Sequence, residues 1–109
     1  MTYNDISVLE NYHISTAFKI IRNPSTNIFA NMSLEEFRTV RRFLIACVLA
    51  TDMTKHSEIV THASDKLDNM AEDHIFFLST LLHAADISHP CRPWEMHEHW
   101  THMVAEEFF

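Results

Sequence analysis

The sequence predicts an all-α fold, on three observations. Apolar residues recur at steps of three and four along most of the chain, the spacing of one face of a helix. Glycine is absent from all 109 residues, so hairpin turns that need positive φ and Gly-rich phosphate loops cannot be built in the usual way. The three prolines fall between the periodic runs and not inside them, as helices require.

The first helix is expected over residues 6–21, where Ile6, Leu9, His13, Phe18 and Ile21 lie roughly on one side, and Asn23 with Pro24 stops it. A loop follows through Asn31. Ser33 stands three residues before Glu36, a capping-box signature, and Phe37, Val40, Leu44, Cys47, Val48 and Thr51 then trace an apolar face. This pattern predicts one long helix running on through Thr54 to about Leu67, where Asp68 and Asn69 weaken it; residues 61–73 are polar. Residues 75–87 predict a short, well-buried helix, because Phe77, Leu78, Leu81, Leu82, Ala84 and Ala85 leave little polar surface. Pro90 and Pro93 bracket a break, after which Trp94, His97, Trp100, Val104 and Phe108 step out a final amphipathic helix. Both ends of the chain are abrupt, so residues 1–109 are expected to be part of a larger helical domain, truncated at both ends.

Apolar residues make up 47% of the chain and charged residues 21%, the balance of a folded domain. The net charge is −7 and the eight Lys and Arg are scattered, so no basic face is offered to a nucleic acid or an anionic membrane. A phosphate-handling protein this acidic would need metal cations to bring its substrate in. The longest apolar run, residues 43–50, is far too short to span a bilayer, and the first residues do not read as a secretory leader. Cys47 and Cys91 are far apart and make no metal-type pair, so reduced thiols and a cytoplasmic location are expected.

Nine histidines are an excess, and imidazoles with carboxylates are common ligands of divalent metals. His97, His99 and His102 share one helix with Glu95 and Glu98, and Glu98 with His102 has same-face spacing; a solvated polar face with one packed imidazole is the favoured alternative. His56, His62 and His74 read as surface residues. A sharper signal is Asp86, a carboxylate at the end of an apolar helix, where something cationic is expected against it. Thr51-Asp52-Met53 and Glu10-Asn11 are two further polar interruptions. The three could meet around one metal centre, or each could be separately capped or paired; the pattern alone does not choose.

Several strings together narrow the choice: Tyr3-Asn4-Asp5, Ser7-Val8-Leu9-Glu10-Asn11-Tyr12-His13, Leu49-Ala50-Thr51-Asp52-Met53-Thr54-Lys55-His56, Ala84-Ala85-Asp86-Ile87-Ser88-His89-Pro90, and Trp100-Thr101 with Glu106-Glu107-Phe108-Phe109. In order and approximate spacing they resemble motifs of the class I 3′,5′-cyclic nucleotide phosphodiesterase catalytic domain. The resemblance implies a multi-helix portion of that family's HD-type helical domain. It also implies hydrolysis of cAMP, cGMP or both to 5′-monophosphates, in signal transduction, with two divalent metals, zinc at one site and magnesium or manganese at the other, activating water. By resemblance Asp86 is a metal ligand, Glu10 orients a catalytic histidine, and Thr51 borders the second metal's waters. Met53, Ile87, His89, Trp100, Thr101 and Val104 line the substrate pocket, while Asp52 is structural. Many family members carry asparagine where His89 stands; histidine resembles the calmodulin-stimulated branch and some protist members, and a neutral imidazole can either donate or accept.

The family's general-acid histidine and its other metal ligands would lie before this chain, and its base-binding glutamine and stacking phenylalanine after it. The chain alone is therefore expected to be inactive. Two other readings stand beside this one: a catalytically dead helical binding or regulatory module of the same family, and a His-rich metal-binding helical protein resting on His97, His99, His102 and Glu98. The expected partner is a cyclic nucleotide, with no nucleic acid and no membrane segment; homo-oligomer formation and regulatory domains are left open.

Overall fold

The computed structural model describes residues 2–65 and 73–109. Its helices are α1 (Val8–Ile21), α2 (Leu34–Leu49), α3 (His56–Asp65), α4 (His74–Asp86) and α5 (Trp94–Phe108), with short 3-10 turns at Met53–Lys55 and His89–Cys91. Among the described residues there is no strand, as the all-α reading requires, and no helix is long and apolar enough to cross a membrane.

The α2 start follows the local chemistry foreseen for it. Ser33 is extended, its hydroxyl accepts from the Glu36 N–H, and the Glu36 carboxylate accepts from the Ser33 N–H at 2.8 Å, so two otherwise orphaned donors are satisfied reciprocally. Those hydrogen bonds from Ser33 hold the Glu36 carboxyl below its ordinary range.

The long helix expected to pass Thr54 is instead broken. α2 ends at Leu49, and Asp52 adopts an extended backbone in which its Oδ1 accepts from the Thr54 N–H at 2.9 Å and the Thr54 hydroxyl at 2.7 Å. A short carboxylate that captures backbone two residues on offers the chain an alternative to the helix ladder, and the Met53–Lys55 turn and α3 follow from it. The expected helix end at Leu67, Asp68 and Asn69 lies outside the described residues.

α2 is the central element, packing against α1 on one side and α4 on the other. On the α1 side Ile14 and Phe18 are buried. The Phe18 ring meets Phe37 edge-on at 6.4 Å, Phe29 lies 6.0 Å from Phe37, and the Arg41 guanidinium sits 4.2 Å over the Phe18 ring, a cation on the negative face of an aromatic quadrupole. The face expected for α1 was only partly right: Phe18 is inside, but Ile6, Leu9 and His13 are exposed.

On the α4 side the expectation of a well-buried helix is corrected. Phe77, Leu78, Leu81, Leu82, Ala84 and Ala85 are exposed, while the buried residues of α4 are Ser79 and His83. A helix apolar all round needs cover on several faces, and α2 covers one. α5 rests mainly on the His89–Cys91 turn, with His97 and Val104 half-buried and Trp94, Trp100 and Phe108 exposed.

Candidate active site

Two long-range links tie the α1 start, the α2–α3 junction and the α4 end together. The first joins the Ser7 hydroxyl to Asp52 Oδ2 at 2.6 Å, across 45 residues of chain. Ser7 precedes α1 and has φ 45°, in the left-handed region that costs a non-glycine residue free energy and persists only where surrounding contacts over-determine it. Asn4 and Asp5 are left-handed as well, so the glycine-free chain turns into α1 on short polar residues that tolerate that conformation.

Asp52 is buried and accepts from Ser7 and twice from Thr54. The Ser7 hydroxyl foremost, then the Thr54 hydroxyl and N–H, hold its carboxyl below the ordinary carboxylate range, against burial, which pushes the other way. Asp52 is therefore a structural carboxylate.

The second link joins His56 Nδ1 and His83 Nε2 at 2.9 Å, with ring centroids 5.2 Å apart. His83 is 3% exposed, and its Nδ1 is enclosed without a hydrogen-bond partner. The better-satisfied tautomer has the proton on His83 Nε2, donated to His56, because the alternative would bury an N–H with no acceptor. His56 is thus part of the framework and not the surface residue the sequence suggested. The same holds for His62, whose ring meets Phe76 edge-on at 4.4 Å.

Each of the three sequence-nominated polar positions adjoins one of these links. Glu10 is half-buried one helical turn after Ser7, Thr51 directly precedes Asp52, and Asp86 follows His83 by one turn. The Thr51 hydroxyl donates to the Val48 carbonyl at 2.8 Å, which leaves its lone pairs free to accept from water. The hollows lined by described residues include one of about 550 Å³ between α2, α3 and α4 and one of about 300 Å³ between α1 and α2. Neither is lined by Glu10, Thr51 or Asp86.

Asp86 is exposed, not buried against a cation as expected. It is the last residue of α4, where the helix dipole presents its negative end and a carboxylate is locally unfavourable. Among the described residues no three of His, Cys, Asp and Glu are grouped so as to hold a metal ion. A metal centre that included Asp86 would need its remaining donors from outside the described residues. His97, His99, His102 and Glu98 are not among any such grouping of described residues.

Of the other nominated residues, Met53 and Trp100 are about half exposed, Ile87 and Val104 are half-buried, and the Thr101 hydroxyl donates to the His97 carbonyl at 2.9 Å. His89 is paired with His97, Nδ1 to Nδ1 at 3.0 Å, with rings stacked at 5.0 Å. Sequence reasoning missed Ser7, His56, His83 and His97 in these roles. The available signal was His83, an imidazole set within the apolar run Leu81-Leu82 to Ala84-Ala85 of α4.

The whole chain, residues 1–109, matches the profile of the family described as 3′5′-cyclic nucleotide phosphodiesterase. It is 46% identical over 108 residues to the mouse dual specificity calcium/calmodulin-dependent 3′,5′-cyclic nucleotide phosphodiesterase 1B, covering 98% of this chain and 20% of that protein. It is 42% identical to the mouse high affinity cGMP-specific 3′,5′-cyclic phosphodiesterase 9A, covering 98% and 21%. The fold superposes with a TM-score of 0.88 on the phosphodiesterase domain of the Salpingoeca rosetta rhodopsin phosphodiesterase, at 36% identity, covering 98% of this chain and 35% of that one.

Proposed function

Because the chain belongs to the 3′,5′-cyclic nucleotide phosphodiesterase family, we propose that the protein carrying it hydrolyses a 3′,5′-cyclic nucleotide, cAMP or cGMP, to the 5′-monophosphate. Residues 1–109 are one part of the catalytic domain in this reading, since the chain spans about 20% of the length of the curated relatives it matches. The observation that carries the assignment within the site is Asp86. It is an exposed carboxylate at the wrong end of a helix dipole, on a helix end fastened by the His56–His83 link.

Two divalent cations, zinc and magnesium or manganese, would supply water activation and charge neutralisation at such a site. Asp86 would be one ligand, completed by donors outside this chain. Glu10 would accept a hydrogen bond from an imidazole of the remaining domain and hold that ring in one orientation, as outer-shell carboxylates commonly do. Thr51, with its proton committed to Val48, would accept from ordered water. Met53, Ile87, His89, Trp100, Thr101 and Val104 would border the nucleotide.

The test is hydrolysis by the full-length protein. Activity on cAMP or cGMP is expected, lost on chelation and restored by adding zinc with magnesium or manganese, while the 109-residue chain alone is expected to be inactive for want of the other donors. A full-length protein that binds cyclic nucleotide without turnover under any of these metals would instead support the catalytically dead module.

A further inference from the structure

Three of the chain's eight Lys and Arg come together at the hollow of about 300 Å³ between α1 and α2, which Lys19, Arg22 and Arg41 all line. They are scattered in sequence, and the fold collects them. Lys19 and Arg22 are three residues apart at the end of α1 and so share a face, while Arg41 comes from α2. Among the described residues that line the hollow there is no carboxylate, although the chain as a whole carries a net charge of −7. Like charges gathered on one concavity raise the potential there, and a bound anion lowers it. The Arg41 guanidinium sits over the Phe18 ring, 4.2 Å from its centroid, and a guanidinium anchored on an aromatic ring keeps N–H donors for an oxyanion. Ser15 and Tyr3 add hydroxyls to the lining. Asn11 spends its side-chain N–H groups on the Ile6 and Ser7 carbonyls, each at 3.0 Å, which ties this edge of the hollow to the turn entering α1. Ile14 and Phe18, both buried, and half-buried Ile45 supply apolar surface beside the cations.

We infer that this hollow is a binding site for a small organic phosphate monoester, whose dianion is taken by Lys19, Arg22 and Arg41 and whose apolar ester group lies on Ile14, Phe18 and Ile45. Two guanidiniums, an ammonium and two hydroxyls offer more donors than the two oxygens of a carboxylate can accept, and they suit the three terminal oxygens of a phosphate monoester. The volume stands at the lower end of the roughly 300 to 1,000 Å³ of small-molecule sites, room for a single-ring ester. Glu10, Thr51 and Asp86 do not line the hollow, so the site is separate from the candidate metal centre and does not depend on the roles given to those residues.

The experiment is isothermal titration of the metal-loaded full-length protein with phenyl phosphate, inorganic phosphate and benzoate, beside the single variants Lys19→Gln, Arg22→Gln and Arg41→Gln. Phenyl phosphate is expected to bind about tenfold more tightly than inorganic phosphate, through its ring, and about tenfold more tightly than benzoate, through its further oxygen and charge. Each substitution is expected to weaken phenyl phosphate about tenfold, the worth of one hydrogen bond to a charged group, and to leave kcat/KM for cAMP and cGMP unchanged in phosphate-free buffer. Absence of binding by phenyl phosphate, or equal binding in the wild type and all three variants, would overturn the inference; the second result assigns the anion to the metal centre. A fall in kcat/KM that tracks the lost binding would place the anion in the active site and overturn it as well. Inorganic phosphate or benzoate binding as tightly as phenyl phosphate would sink the assignment to an organic phosphate. If Arg41→Gln disturbs the fold through its lost contact with Phe18, Lys19→Gln and Arg22→Gln decide, since both side chains are exposed.

Discussion

Replacing Asp86 with alanine in the full-length protein is expected to lower kcat/KM for cyclic nucleotide hydrolysis by at least about a hundredfold. Outer-shell groups at metal sites are themselves worth about 10- to 100-fold, and a direct ligand should exceed them. The same substitution should leave folding nearly unchanged, within about 0.5 kcal/mol, because Asp86 is exposed and stands at the α4 C-terminal end, where its charge opposes the helix dipole. Steady-state rates with metals in excess, alongside thermal melts, check both halves. A variant that folds normally and hydrolyses at close to the wild-type rate would remove Asp86 from the metal site. One that fails to fold would mean that the carboxylate serves the scaffold. Retained stability with lost activity separates a group held for chemistry from one held for packing.

Asp52 is expected to behave in the opposite way. Asp52→Ala removes the acceptor for the Ser7 hydroxyl at 2.6 Å and for both Thr54 donors, and should cost about 2 to 3 kcal/mol in urea denaturation, the range for hydrogen bonds to a charged group added to loss of a cap. The link also has a pH signature. The Asp52 carboxyl is held below its ordinary value, first by Ser7 and then by Thr54, so the folded state binds its proton more weakly than the unfolded chain does. The contribution is complete above the unfolded pKa of about 3.9 and is lost as pH falls through the lower folded value. Between pH 5 and pH 3 the urea midpoint of the wild type should therefore fall more steeply than that of Asp52→Asn. Parallel midpoints over that window would show that the Ser7 and Thr54 bonds do not distinguish the ionised carboxylate.

The sequence could be read wherever the decisive partners were close along the chain. Ser33 and Glu36 are three residues apart, and the box they form was visible in the pattern and is present in the fold. Asp52 was harder. The apolar period runs on past it, and although its capture of Thr54 is local, Ser7, which helps fix its extended conformation, is 45 positions away, so the polar interruption at Asp52 did not by itself announce a break. The His56–His83 link spans 27 residues and uses a residue type that is abundant in this chain. The leucines of α4 were misjudged for another reason: apolarity reports what a face would bury against, not whether these residues supply the cover. For the candidate site, residue types and spacings nominated Glu10, Thr51 and Asp86 without placing them. The His89–His97 contact lay beyond reach because its meaning is in which nitrogens face each other.

Residues 52–56 are held from two directions, by Ser7 at one end and by His83 at the other. Such a segment works as a common abutment, like a stone on which two arches lean. If either helix lifts away, the bracing of the other goes with it. Amide exchange in the opening turn of α1 and the closing turn of α4 should then proceed at one shared rate, as a single mechanical unit and not two.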